Sequence, residues 1–221
     1  MELNLTYKNL TTLDGINLTG VIVLYCGGNQ LTSLPSLPET LKILICGGNQ
    51  LTTLPYLPEA LEILYCNHNQ LTLLPHLPET LKTFDCVHNQ LTSLPPLPET
   101  LKVLICHYNR VTSLPPLPES LEILSCSNNQ LTSLPPLPET LKILYCDKLT
   151  SLPPLPYGLM DMENMKGKKL NQHNKKRIDL GMETVEILPD KGIWDQINEM
   201  WVHWQYRIGG KKYNEAISLI N

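Results

Sequence analysis

Seven cysteines are the residues of this chain whose type and spacing most directly suggest chemistry. They are Cys26, Cys46, Cys66, Cys86, Cys106, Cys126 and Cys146, each 20 residues after the one before. Stacked on neighbouring parallel strands they would lie about 4.8 Å apart, farther than the roughly 3.5–4.5 Å between the Cβ atoms of a disulfide. Ligands in a line cannot form the tetrahedron of a zinc site either. We therefore predict seven unpaired thiols that fill a core, which implies a reducing compartment.

Histidine is the second residue type that could do chemistry. His68 and His88 occupy the same position of successive 20-residue units, with Asp85 and His107 nearby. Stacked imidazoles could bind a metal or respond to pH, but Gly, Asn and Tyr occur at neighbouring positions, which favours tolerated variation. No Ser-His-Asp set, Gly-rich phosphate loop or H-E-x-x-H motif stands out. We expect no catalytic residue, no metal, no cofactor and no enzymatic activity.

A basic run lies in the last third of the chain. Prolines almost disappear after Tyr157, and the stretch from Lys166 to Arg177 carries six basic residues and no acidic one. The candidate contacts to an anionic partner are Lys168, Lys169, Lys175, Lys176 and Arg177. Because no aromatic residues are interleaved for base stacking, we interpret 157–189 as a solvated basic linker and disfavour nucleic acid as a partner.

Three tryptophans mark the segment that follows. From Asp190, apolar residues recur at three- and four-residue steps, which predicts an amphipathic helix ending at Gly209–Gly210. A second short helix is predicted after it, so 190–221 is expected to form a helical C-terminal cap. The alternative is that Trp194, Trp201 and Trp204 contact a second partner.

The elements that would position these residues are copies of one 20-residue unit. Its shared frame is L-x-x-L-x-C-x-x-N-x-L-T-x-L-P-x-L-P-E-T. Alternation around Leu44 to Cys46 predicts a short strand, and Asn49 predicts a turn whose amide bonds the backbone of its own and the adjacent unit. The prolines exclude a helix on the return path. Stacked units bury the leucines, which predicts a parallel-β solenoid.

The L-x-x-L-x-L-x-x-N-x-L core of this frame resembles the leucine-rich repeat signature, with Cys in the third aliphatic position. The proline-rich 20-residue form is similar to the LPX subclass of bacterial type III effectors, of the YopM and IpaH types, and to repeat proteins of amoebal giant viruses. The resemblance covers 1–156 and implies a mostly β solenoid with a concave face of parallel strands and an extended proline-rich convex side. A ligase of the IpaH type adds a large catalytic domain, whereas about 65 residues follow here, with no cysteine among them.

Both ends of the array depart from the frame. Residues 1–20 follow it loosely, with Lys8 where the asparagine of other units lies, and we expect them to cap the solenoid. After Cys146, two residues stand where other units have four, and the asparagine is lost. The predicted organisation is a solenoid over 1–156, a linker over 157–189 and a helical cap over 190–221.

The strand face is the surface on which we expect function. Because side chains alternate along a strand, every second residue should point away from the core, and stacking aligns these residues of successive units in columns. The columns are rich in apolar residues and tyrosines, which favour protein partners. The candidate contacts are Tyr25, Ile45, Tyr65, Asp85, Ile105 and Tyr145, with His88 and His107 beside them. We expect this face to meet solvent and to bind a protein.

Composition limits the remaining function classes. The formal net charge of −4 disfavours a polybasic nucleic-acid binder, and no apolar run approaches the roughly 18 residues of a membrane span. The N-terminal MELNLTYKNL has no signal-peptide pattern. We expect an intracellular, cytoplasmic protein, in the host cytoplasm if it is an effector or viral protein. Three alternatives to a simple binding module remain. They are a ubiquitin-ligase adaptor acting through the tryptophan helix, a nucleic-acid or membrane-surface binder acting through the basic run from Lys166 to Arg177, and a homo-oligomer that pairs its apolar faces.

Overall fold

A computed structural model describes residues 1–147, 149–151, 153–159 and 161–163 of the chain. All of them belong to one compact unit, Met1–Lys176. The basic run from Lys166 to Arg177 and the predicted helices with Trp194, Trp201 and Trp204 lie outside the described residues.

The described residues contain nine three-residue strands, which form one parallel sheet in sequence order. They are β1 Glu2–Asn4, β2 Val23–Tyr25, β3 Ile43–Ile45, β4 Ile63–Tyr65, β5 Thr83–Asp85, β6 Val103–Ile105, β7 Ile123–Ser125, β8 Ile143–Tyr145 and β9 Asp161–Glu163. From β2 to β8 the strands pair without slippage, since each residue lies opposite the residue 20 positions later. The predicted parallel-β solenoid is confirmed, and the described residues contain no α-helix.

The sheet departs from the 20-residue repeat at both ends. In the first coil Glu2 pairs with Val23, a spacing of 21, which places Lys8 opposite Asn29 as the sequence predicted. At the other end Ile143 pairs with Asp161. Because the turn after Cys146 is shortened, β9 begins two residues earlier in the sequence than the 20-residue repeat would place it. This strand extends the sheet past residue 156.

The core is a stack of identical layers. In the third coil Leu41, Leu44, Cys46 and Leu51 are all 0% exposed, and Phe84 fills the position of Leu44 in the fifth coil, also at 0%. Complete burial of a leucine side chain stabilises the fold by about 1.5–3 kcal/mol. All seven cysteines are free and buried, so the prediction of unpaired core thiols is confirmed.

Asparagine amides connect each coil to the next, also as predicted. Asn69 donates from Nδ2 to the carbonyl oxygens of Cys66 and Cys46, both at 3.1 Å, and its Oδ1 accepts from the N–H of Leu51 at 3.0 Å. The same pattern recurs at Asn49, Asn89, Asn109 and Asn129. These bonds satisfy backbone groups that would otherwise be buried without partners.

The proline-rich side has a second set of connections that the sequence did not reveal. The Thr80 hydroxyl donates to the carbonyl oxygens of Glu59 at 2.6 Å and Leu61 at 2.8 Å, and Thr100 and Thr140 repeat this one and three coils later. These bonds explain why the frame ends in threonine.

Candidate functional site

The strand face is more buried than expected. Tyr25 is 4% exposed, Ile45 1% and Asp85 6%, whereas Tyr65, Ile105 and Tyr145 are half-buried. The expectation that this face meets solvent is therefore wrong for Tyr25, Ile45 and Asp85.

Burial changes the protonation chemistry of this face. It raises the pKa of the Asp85 carboxyl to about 7, although the N–H of Val87 donates to Oδ1 at 3.0 Å and partly opposes the shift. Burial, together with the charge of Asp85, also raises the pKa of Tyr65. Asp85 is thus a poor ion-pair partner near neutral pH.

The cysteine thiols are chemically inert in the folded chain. Burial raises the pKa of Cys26 and of Cys106 to about 12, and that of Cys146 to about 11. Since the thiolate is the nucleophile and metal ligand, these residues serve the core. Within the described part of the chain no group of three or more His, Cys, Asp or Glu side chains is arranged to hold a metal.

A column of exposed and half-buried residues runs along the edge of the sheet, three residues after the end of each of the strands β1 to β7. We call it the ring column, and it consists of Tyr7, Gly28, Gly48, His68, His88, Tyr108 and Asn128. All seven have a positive φ, between 50° and 67°. This is the left-handed region, which glycine adopts freely and which asparagine and histidine adopt more often than most residues do.

Three rings of the column form a continuous stack. The centroids of His68 and His88 are 4.4 Å apart with 20° between the ring planes, and those of His88 and Tyr108 are 4.2 Å apart with 7° between them. His88 is exposed, and Tyr108 is 46% exposed. Partial desolvation lowers the pKa of His68 and of the largely exposed His88, and His88 lowers the pKa of His68 further, so neutral imidazoles are favoured.

His107 lies between the ring column and the strand face. Its ring meets Tyr108 edge-on at 5.4 Å, and its Nδ1 lies 3.0 Å from the Ser125 hydroxyl oxygen. Burial, then the neighbouring histidines, lower its pKa to about 4. Of the predicted site residues, the structure brings His88 and His107 to this edge, and it adds Tyr7 and Tyr108, which sequence reasoning missed. The alternation of Gly, His, Tyr and Asn at one repeat position was the available signal.

Comparison with known proteins agrees with this geometry. The family model described as Leucine Rich repeats (2 copies) matches residues 99–139. A solved Shigella effector LRR domain is 37% identical with a TM-score of 0.60, over 68% of this chain and 70% of that one. This chain belongs to the leucine-rich repeat family. YopM from Yersinia pestis, a leucine-rich effector protein, is 30% identical with a TM-score of 0.56, over 74% of this chain and 60% of that one.

A second YopM, from Yersinia enterocolitica WA-314, is 31% identical with a TM-score of 0.49, over 65% of this chain and 42% of that one. This leucine-rich repeat chain therefore spans less than two thirds of either YopM. No curated protein sequence matches it significantly.

The family and the fold together imply a protein-interaction module, because leucine-rich repeat proteins are typically non-enzymatic interaction scaffolds. In the part of the chain that the structure describes, no helix could span a membrane.

Proposed function

We propose that this chain is a non-enzymatic module that binds a protein partner on its strand face and along the ring column. The observation that carries the proposal is the exposed ring stack at the edge of nine aligned strands. Eight intervals of about 4.8 Å make this surface about 38 Å long. That length suits a folded protein or an extended peptide better than a small molecule.

The contacts would come from two adjacent sets of residues. Tyr7, at 54% exposure, and Tyr108, at 46%, offer accessible aromatic area on the ring column. On the strand face the half-buried Tyr65, Ile105 and Tyr145 offer smaller patches. Tyrosines are enriched among the residues that contribute most to binding at protein interfaces.

The two alternatives are less well supported by the described residues. Self-association through the apolar strand face needs Tyr25 and Ile45 to be accessible, and both are buried. A ubiquitin-ligase adaptor would act through Trp194, Trp201 and Trp204, which lie outside the described residues, and it stays a prediction. The linker at 157–189, whose first residues include strand β9, also stays a prediction, as do the cap at 190–221 and an intracellular location.

Alanine substitutions on the two faces of the solenoid test the proposal. Tyr108→Ala and Ile105→Ala each remove part of the proposed surface, and Tyr56→Ala removes a tyrosine that is 61% exposed on the proline-rich side. We expect the first two to weaken capture of a partner at least tenfold, since residues central to an interface contribute about 2 kcal/mol or more, and the third to leave it unchanged. Equal capture by all three, with unchanged circular dichroism, would rule out this surface.

A further inference from the structure

A charged column borders the strand face where the strands begin, whereas the ring column lies past their ends. It occupies the second position of the repeat frame, directly before each of the strands β3 to β8, and consists of Lys42, Glu62, Lys82, Lys102, Glu122 and Lys142. Four lysines stand against two glutamates, which leaves two positive charges in excess. Among the described residues, the only carboxylates within 4.0 Å of these ammonium groups are the two in the column itself.

The charged column contains two copies of one triplet, a glutamate between two lysines. Glu62 accepts hydrogen bonds from the Nζ of Lys42 at 3.0 Å and from the Nζ of Lys82 at 2.7 Å. Glu122 lies between Lys102 and Lys142 in the same way, although the Nζ of Lys102 is 4.0 Å from its Oε1. One carboxylate therefore bridges two lysines whose backbones lie two coils apart, about 9.6 Å.

The two triplets meet at a junction of two lysines. Lys82 and Lys102 lie in neighbouring coils, since the N–H of Lys102 donates to the Lys82 carbonyl oxygen at 2.9 Å. Their side chains are 43% and 48% exposed, and the carboxylates that pair with them, Glu62 and Glu122, belong to coils on the far sides of the junction. Like charges on adjacent strands destabilise each other. A carboxylate placed at the junction would bridge one coil, half the span that Glu62 bridges, and would relieve this repulsion.

The junction lies in the same two coils as two rings of the ring stack. Lys82 and His88 belong to the fifth coil, and Lys102 and Tyr108 belong to the sixth. Six residues, about 20 Å of extended chain, separate each lysine from the ring of its own coil. Because the rings of His88 and Tyr108 are stacked at 4.2 Å, a protein that covers these two coils meets two ammonium groups at one edge of the strand face and two rings at the other.

We propose that the junction of Lys82 and Lys102 binds an aspartate or glutamate side chain of the protein partner. This inference rests on the proposed function, because the acidic residue belongs to the protein that covers the strand face. A single negative charge matches the column, whose two excess positive charges it does not exceed. A phosphate backbone is disfavoured, since Glu62 and Glu122 flank the junction and residues 1–156 carry seven basic and twelve acidic side chains.

A short acidic peptide tests the junction without the partner. The ¹³C,¹⁵N-labelled full chain is titrated with N-acetyl-triglutamate amide, and the Cε–Hε signals of individual lysines are followed by NMR, which separates the junction from the basic run Lys166 to Arg177. We expect saturable shifts at Lys82 and Lys102 that weaken as salt is added, and none with the triglutamine peptide. No saturable shift at these two lysines, or equal shifts with triglutamine, would overturn the proposal. Equal or larger shifts with inorganic phosphate would overturn the choice of a carboxylate.

Glutamine substitutions test the same two lysines against a matched lysine of the column. The double variant Lys82→Gln with Lys102→Gln removes both ammonium groups, whereas Lys42→Gln removes one and leaves Glu62 paired with Lys82 at 2.7 Å. We expect the double variant to weaken peptide binding, followed at the Thr83 N–H, and capture of the partner by about 2- to 10-fold, as for two exposed ion pairs. Lys42→Gln should leave both unchanged.

Two outcomes separate this site from the proposed function. Peptide binding that is equal in the double variant and the wild type would reject the junction. Capture of the partner that Tyr108→Ala weakens and the double variant does not would also reject it, while the proposed function would stand.

Discussion

Removing one asparagine amide from the middle of the solenoid should destabilise the whole array. In Asn69→Ala the N–H of Leu51, a residue that is 0% exposed, loses its acceptor at 3.0 Å. The carbonyl oxygens of Cys46 and Cys66 each lose one donor, but they keep Asn49 at 3.0 Å and Asn89 at 3.1 Å.

These contacts set the magnitude. One buried N–H without a partner costs about 1–3 kcal/mol, and two further hydrogen bonds contribute about 0.5–1.5 kcal/mol each. The free energy of unfolding should therefore fall by about 2–6 kcal/mol.

Urea denaturation followed by circular dichroism, with excess reductant, measures this loss. The matched control is Gln70→Ala, which truncates the exposed neighbouring side chain and leaves the bond from the Gln70 N–H to the Leu51 carbonyl at 2.9 Å. The control should stay within about 0.5 kcal/mol of the wild type. A loss below about 1 kcal/mol for Asn69→Ala, or one equal to that of Gln70→Ala, would contradict this role of the Asn69 amide.

Three further predictions follow from the perturbed pKa values. Because burial raises the pKa of Asp85 from 3.8 to about 7, folding favours the protonated carboxyl, and the wild type should lose stability as pH rises from about 4 to about 7. Asp85→Asn removes the titrating carboxyl, so its free energy of unfolding should not show this fall, which reaches up to about 4 kcal/mol at pH 8 in the wild type. Parallel pH profiles of the two proteins in chemical denaturation would contradict this. Burial raises the pKa of Cys26 to about 12, so Ellman's reagent at pH 8 should react with the thiols only after unfolding, and rapid native labelling would be inconsistent with the structure. The imidazole of His107, with its pKa lowered to about 4, should stay neutral at pH 5.5 in an NMR titration, in contrast to an ordinary midpoint near 6.5.

The repeat frame made the strands and the core predictable. Alternation around Leu44 and Cys46 determines which side chains point inward, because side chains on a strand have a period of two. The role of the asparagine could also be predicted from the repeat. Its side-chain amide both donates and accepts hydrogen bonds, and in a turn between stacked identical units the available partners are backbone groups of its own and the adjacent unit. The absence of disulfides between the stacked cysteines could be predicted from the spacing of neighbouring strands.

The ring column was not recognised because its residues share no side-chain chemistry. Gly48, His68, Tyr108 and Asn128 look like tolerated variation until the backbone shows that all of them are left-handed. Stacking between coils, which brings the rings of His68, His88 and Tyr108 together, depends on that backbone geometry. Burial of Tyr25 and Ile45 was missed for a related reason, since alternation gives the direction of a side chain but not what covers it.

Site-specific photo-cross-linking tests the proposed binding surface most directly. A benzoylphenylalanine replaces Tyr108 on the ring column in one protein and Tyr56 on the proline-rich side in another, at 46% and 61% exposure. Both proteins are irradiated in an extract of the source cells, or of host cells if the chain is an effector. We expect one discrete protein adduct from position 108 and none from position 56. An adduct formed at position 56 alone, or equally at both positions, would contradict this expectation.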